Sequence, residues 1–408
     1  MEKKIINMKS FLIIESQYRG HYLTGYIKYV LRALPKNEFN IVLLITKEAK
    51  KFAADALNIL KKENKRIIIE TMDDIKISNY NSISLLLYQL KLYFLIKDKF
   101  NKIKKKYNFF HIFINSFQHF DKIFSIIGSP FDQIKFSGVL LGAKFHLNAF
   151  NFNVYDRYNF LSKLLFKRLI SNQNLLSLIV NDELLFNFVK KKKWLNLKKI
   201  KFLHDPKEFN FKFKKLYSRN RLKLPNKSFL ILLYGAIINS KSVDELLSIF
   251  ANKNIDRNIK VVIAGEHVGE MKFYFKNPEV LRLIHNKKLF IYNGWQTEVT
   301  ESLIFSAVDI VWIGYKNYPF PSGVLYQAVS KSLPIITSSQ GVMSWTNKKY
   351  KLGLVANINE TGDIIDKINK LKNKFLYRKL QKNIKKFSSI SSSTHWVNYF
   401  KFLHSSIF

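Results

Sequence analysis

Short runs of β-branched and aliphatic residues alternate along this chain with longer stretches whose apolar positions recur every three to four residues. The first pattern predicts buried strands and the second amphipathic helices; their alternation predicts parallel sheets wrapped by helices. In the first half the predicted strands are Phe11–Glu15, Ile41–Thr46, Arg66–Glu70, Phe109–Ile114, Phe136–Leu141 and Leu175–Val180. Helices are predicted over His21–Leu34, Lys47–Lys61, Ser82–Lys105 and Tyr158–Ser171. A further strand, Ile200–Leu203, runs into His204-Asp205-Pro206 and a loose basic stretch, Lys207–Lys227, which breaks both periodicities and marks a domain boundary.

The pattern then restarts. Strands are predicted at Phe229–Tyr234, Lys260–Ala264, Leu289–Tyr292, Ile310–Ile313, Leu333–Thr337 and Leu352–Val355, with helices at Val243–Phe250, Val324–Lys331 and Gly362–Lys372. The fold class is therefore α/β, with doubly wound, Rossmann-like domains at 1–206 and 207–385. Residues 386–408 form a closing helix, whose aromatic cluster of Trp396, Tyr399, Phe400 and Phe402 is expected to pack back on the first domain.

Candidate chemistry concentrates where second-half strands end in glycine. Leu233-Tyr-Gly235 leads through Lys241 into a helix, and backbone N–H groups with a lysine at a helix entrance suit a diphosphate. Gly265-Glu266 and Gly294-Trp295 end two further strands, and Pro321-Ser322-Gly323-Val324 opens the helix that carries Gln327.

That order of elements resembles the C-terminal domain of retaining glycosyltransferase family 4, the group 1 glycosyltransferases. Gly235 and Lys241 fall on the family's strand-Gly-Arg-x4-Lys-Gly motif, Gly265 on its second glycine and Gln327-Ala328 on its Glu-Ala pair. Ser332-Leu-Pro334 falls on the Gly-x-Pro stretch and Gly341 on the later turn, so the likeness spans about 135 residues. Over the first half it is limited to Gly20-His21, Gly142 and the His204–Phe209 junction. The resemblance implies a GT-B fold, two Rossmann-like domains facing a central cleft. It also implies a nucleoside-diphosphate-sugar donor as substrate, no further cofactor and no metal. Donor contacts would come from Gly235, Lys241, Gly265, Glu266, Gly294, Trp295, Pro321, Ser322, Gly323, Val324 and Gln327.

The departures are specific. Ala236 stands where the family carries a phosphate-binding arginine, and Ser242 stands in place of the following glycine. Gln327 replaces the ribose-binding glutamate, and Pro319 stands where the first glutamate of the Glu-x7-Glu pair would be. A helix entrance at Ser322-Gly323 can hold a phosphate without either acid.

In the first half, Arg19-Gly20-His21 follows the first strand as an acceptor or phosphate loop, with His21 a candidate base. His119 and His146 follow strands at their carboxyl ends and are further catalytic candidates; Asn115 and Ser116 are placed to bond sugar hydroxyls.

Composition narrows the classes. The 408 residues contain no cysteine, which excludes thiolate metal sites and disulfides and fits a reducing cytoplasmic setting. The net charge of +39 is spread evenly, 35 basic against 15 acidic residues in 1–200 and 33 against 14 in 201–408, so no nucleic-acid arm stands out and no nucleic acid is expected as partner. That charge favours anionic substrates and an anionic membrane surface. The run Lys190–Lys193 before Trp194 is a solvated face with membrane contact as its functional option. The stretch Ile83–Ile96 carries Gln89 and Lys91 and reads as an amphipathic or buried helix, with contact to the bilayer surface as its functional option, and the run Phe11–Ile14 is too short for a secretory signal. His267, His285, His395 and His404 lack metal-ligand spacing, and Asp73-Asp74 reads as a solvated loop. The expectation is a cytoplasmic glycosyltransferase, peripheral on the inner face of the membrane, acting on a glycan or lipid-linked acceptor in cell-surface polysaccharide or glycolipid synthesis. A non-hydrolysing nucleotide-sugar epimerase and a non-catalytic GT-B scaffold are the alternatives.

Overall fold

A computed structural model describes residues 8–17, 23–35, 38–75, 82–150, 152, 159–252 and 255–407. The chain divides into two compact units, Met1–Pro206 with Ser393–Phe408, and Lys207–Ser392.

The first unit is built on a parallel sheet of β1 (Lys9–Glu15), β2 (Asn40–Thr46), β3 (Ile67–Met72), β4 (Asn108–Ile114), β5 (Phe136–Leu140), β6 (Leu175–Val180) and β7 (Ile200–Phe202). Their spatial order is β3-β2-β1-β4-β5-β6-β7. Chain order reverses direction between β1 and β4, where parallel α/β sheets open a crevice beyond their carboxyl ends. Side-chain alternation sends Leu12, Ile14, Val42 and Ile112 to one face, against Leu92, Ile96 and Phe100 of the helix Ser82–Ile103. The opposite face carries Phe11, Ile13, Leu43 and Phe113, covered by the helices Ile27–Ala33 and Ser393–Ile407. Trp396 of the terminal helix stacks on Tyr26, with ring centroids 4.5 Å apart, and its indole N–H donates to the His204 carbonyl at 2.6 Å. Trp396, Phe400 and Leu403 are all buried. At about 1.5–3 kcal/mol for each large apolar side chain removed from water, this contact suffices to hold the chain terminus on its sheet.

The expected helix Lys47–Lys61 is two. Thr46 caps the first, Lys47–Phe52, by accepting from Ala49 N at 3.1 Å, and Ala53 leaves helical geometry at φ −112°, ψ 34° before Ala54–Glu63 begins. The break lets Ala49, Leu57 and Leu60 all reach the same core.

The second unit repeats the plan with β8 (Phe229–Tyr234), β9 (Ile259–Gly265), β10 (Leu289–Asn293), β11 (Ile310–Ile313), β12 (Ile335–Ser338) and β13 (Gly353–Ala356). The order is β10-β9-β8-β11-β12-β13, again with a reversal, here between β8 and β11. Every pairing in both sheets is parallel. The helix expected at Val243–Phe250 ends at Leu247 and tightens into a 3-10 turn over Ser248–Ala251. Among the described residues no helix is long and apolar enough to cross a membrane.

Candidate functional site

The carboxyl ends of β8, β9 and β10 meet through backbone contacts that only glycine permits. Gly235 at φ +95° donates its N–H to Ala264 O at 2.9 Å, and Gly294 at φ +102° donates to Gly265 O at 3.2 Å. Gly265, at φ +134°, lies so close to its neighbour that a Cβ there would sit 1.9 Å from the Gly235 carbonyl oxygen. This approach brings the three strand-end turns together, with Ile237 N bonded to Glu266 O at 2.8 Å.

Lys241 sits under this platform. It ends the 3-10 turn Asn239–Lys241, and Ser242 takes the left-handed conformation at φ 53°, ψ 51°, where the family pattern has glycine. The lysine is buried: its Nζ donates to Tyr234 O and lies 5.2 Å from the Tyr315 ring centroid. Burial pushes its pKa down to about 7. A Cβ on Gly235 would stand 2.8 Å from the same Nζ and 3.8 Å from Val324 Cγ2, so Gly235, Lys241 and the start of the helix Gly323–Ser330 converge on one spot.

Ser322 caps that helix, accepting from Val324 N at 3.3 Å. The preceding loop is held by aromatic contacts, Tyr315 to Tyr318 at 5.7 Å and Tyr318 to Phe320 at 5.6 Å, and by Val342 N donating to Pro319 O at 3.0 Å. The arrangement brings a buried lysine amine and the partial positive charge of a helix amino terminus close together.

Gln327, on the same helix, is buried, and its amide nitrogen donates to Glu301 Oε1. Glu301 also takes Lys207 Nζ at 2.9 Å and the Tyr234 hydroxyl, so one buried carboxylate ties together four segments. It was not singled out from sequence. The available signal was helical spacing: Glu301 stands three and four residues before Ile304 and Phe305, on the buried face of the helix Glu298–Ala307. On the β10 side, Trp295 is 67% exposed and Glu266 is exposed. His267 stacks on Phe275 with centroids 4.1 Å apart, and burial lowers its pKa.

In the first unit Arg19, Gly20 and His21 lie outside the described residues. Beside them at the β1/β4 crevice, Glu15 is fully buried and accepts from Asn115 Nδ2 and Ser116 Oγ at 2.5 Å each and from Gln17 N at 2.7 Å. Burial raises its pKa to about 7, against the lowering effect of those donors. Sequence reasoning placed Asn115 and Ser116 here but treated Glu15 as the end of a strand. His119 is held edge-on to Tyr88 at 6.2 Å and burial lowers its pKa to about 4. His146 has no solvent exposure and lies 2.8 Å from Asp182, the cap of the helix Glu183–Lys191. A buried imidazole against a capping carboxylate is positioned to support the fold around it. Among the described residues no cluster of three His, Asp or Glu side chains could hold a metal ion.

Two Rossmann-like units, each a parallel sheet whose strand order reverses, define the class: the GT-B fold. Residues 215–387 match the model of the family of glycosyl transferases group 1. Solved structures across the full chain agree in fold. Anabaena Alr3699/HepE in complex with UDP is 13% identical over 98% of this chain and 100% of that one, with a TM-score of 0.67. Sucrose-phosphate synthase from Thermosynechococcus elongatus is 12% identical over 98% and 99%, with a TM-score of 0.71. A glycosyltransferase from Rickettsia africae is 14% identical over 98% and 99%, with a TM-score of 0.67. No curated protein sequence matches the chain.

Proposed function

We propose that this protein transfers a sugar, with retention of configuration and without a metal, from a nucleoside-diphosphate sugar to a glycan or lipid-linked acceptor at the inner face of the membrane. The product would serve cell-surface polysaccharide or glycolipid synthesis. The observation that carries the reading is the convergence of Gly235, Lys241 Nζ and the amino terminus of Gly323–Ser330. A bound diphosphate would receive the N–H of Gly323 and the charge of Lys241, which together stabilise it as a leaving group. Exposed Trp295 offers a face for the base. Gln327, its amide nitrogen held by Glu301, would turn its carboxamide oxygen to a ribose hydroxyl. Several structural relatives are complexes of Alr3699/HepE with UDP, UDP and glucose, or UDP-glucose, which supports a uridine nucleotide as the first donor to try. On the acceptor side, Asn115 and Ser116 beside Glu15 are the polar groups at the β1/β4 crevice.

A thermal-shift panel of nucleoside diphosphates and their sugars tests the donor site. Specific stabilisation by one nucleotide is expected, and Gly323→Pro should diminish it. Proline suits the first helical position, and Ser322 already has the extended backbone that precedes proline (φ −132°, ψ 130°), so the change removes one N–H without unfolding the helix. No response to any nucleotide would refute the reading. Replacement of Glu-x7-Glu by Pro319 and Gln327 favours a second one, a GT-B protein that binds a donor without turning it over. Stabilisation by a nucleotide sugar, with no hydrolysis or transfer on prolonged incubation, would select it.

A further inference from the structure

One face of the first unit presents large apolar side chains to solvent inside a field of lysines. On the helix Asn159–Ser171, Phe160 is 81% exposed, and Leu161 and Leu164 about half exposed. Leu195, in the loop after the helix Glu183–Lys191, is 86% exposed, and Ile126 and Ile127 end the helix Asp121–Ile127 about half exposed. The three segments adjoin: Lys167 Nζ lies 5.0 Å from the Trp194 ring centroid, Lys163 Nζ lies 5.8 Å from that of Phe188, and Arg168 donates to Ile126 O at 3.3 Å.

The loop is built to display Leu195. Lys193 and Asn196 both adopt positive φ, 48° and 67°, on either side of Trp194-Leu195. The indole turns inward, stacked on Phe145 at 6.0 Å, while the leucine turns out. A left-handed backbone at two non-glycine residues disfavours this geometry locally, and its product is an exposed leucine beside Lys190–Lys193.

We propose that this face docks on an anionic lipid bilayer, with Phe160, Leu161, Leu164 and Leu195 entering the headgroup boundary and the lysines meeting lipid phosphates. Charge selects that occupant. Residues 159–171 and 190–202 contain no Asp or Glu, whereas Lys163, Lys167, Arg168 and Lys190–Lys193 ring the apolar groups. A second copy of the same face would be repelled. Nucleic acid would engage the lysines but gains nothing from exposed aliphatic leucines and isoleucines. A basic rim around inserting Phe and Leu is what binds a negatively charged membrane surface. The inference deepens the reading of a peripheral enzyme given above and rests on it for a lipid-borne acceptor.

Co-sedimentation of the full chain with vesicles tests this, using phosphatidylcholine alone and phosphatidylcholine mixed with phosphatidylglycerol. Binding is expected only to the mixed vesicles and should fall with added salt. A variant carrying Phe160→Ser and Leu195→Ser, and a second carrying glutamine at 190–193, should each lose binding, the second by more than about a hundredfold from its four charges. Since all the changed side chains are exposed, both variants should keep the nucleotide-induced thermal shift, so failure here is distinguishable from failure of the donor site. Equal binding to neutral vesicles, unchanged binding by either variant, or binding to RNA but not to anionic vesicles would overturn the proposal.

Discussion

Lys241 should make diphosphate binding take up a proton. Its ammonium is buried against Tyr234 O and the Tyr315 ring, and burial lowers its pKa to about 7. At pH 8 only about one-tenth of the free protein then carries the charge. A diphosphate beside Nζ favours the ammonium and returns its pKa toward the ordinary lysine range, so binding at pH 8 should take up about 0.9 proton. Charging the lysine at that pH costs about 1.4 kcal/mol, and affinity should weaken roughly 25-fold between pH 7.5 and 9. Over that range the nucleotide's own phosphates are already ionised, so the slope belongs to the protein. Titration calorimetry at pH 8 in HEPES and in Tris, buffers of different ionisation enthalpy that do not compete with a phosphate, counts the protons directly. Lys241→Met keeps the apolar stem on Tyr315 and should abolish the uptake, leaving weaker, pH-independent binding. Affinity that is flat from pH 7.5 to 9 in the native protein, with equal heats in both buffers, would refute the reasoning even if the nucleotide binds.

Two further outcomes follow from buried groups. Glu15 has a folded pKa of about 7 against an ordinary 4.5, so its stabilising contribution is complete below about pH 4.5 and is lost as pH rises through 7. The span is about 3 kcal/mol. Urea denaturation should therefore show Glu15→Gln gaining on the native protein as pH rises from 5 to 8; parallel curves would show that the carboxyl is not held neutral. Gly265→Ala places a methyl 1.9 Å from the Gly235 carbonyl in a backbone conformation that alanine resists, and should destabilise the protein by several kcal/mol. The same denaturation measurement checks it, and a loss under about 1 kcal/mol would mean the strand ends are not so tightly apposed.

The two-sheet plan was legible in the sequence because a strand buried on both faces must be apolar throughout its length. Phe229–Tyr234 and Ile310–Ile313 therefore show the same ends in sequence and structure. Lys241 and the Ser322-Gly323 entrance were legible for a similar reason: a strand end, a glycine and a helix cap are local features. Other features depend on residues far apart in the chain. Nothing near Ala53 signals a helix break, since no glycine or proline is present and the core on either side decides it. Glu15 meets Asn115 across 100 positions, and Glu301 meets Lys207 across 94. In both cases the polar residue lies within an element whose pattern records only that it is buried. What local sequence determined was which segments form strands and helices and where the chain turns. Only tertiary packing decided that Gly265 presses on Gly235, that Gln327 is held by Glu301, and that Leu195 turns outward, because each depends on which segments the sheet order sets side by side.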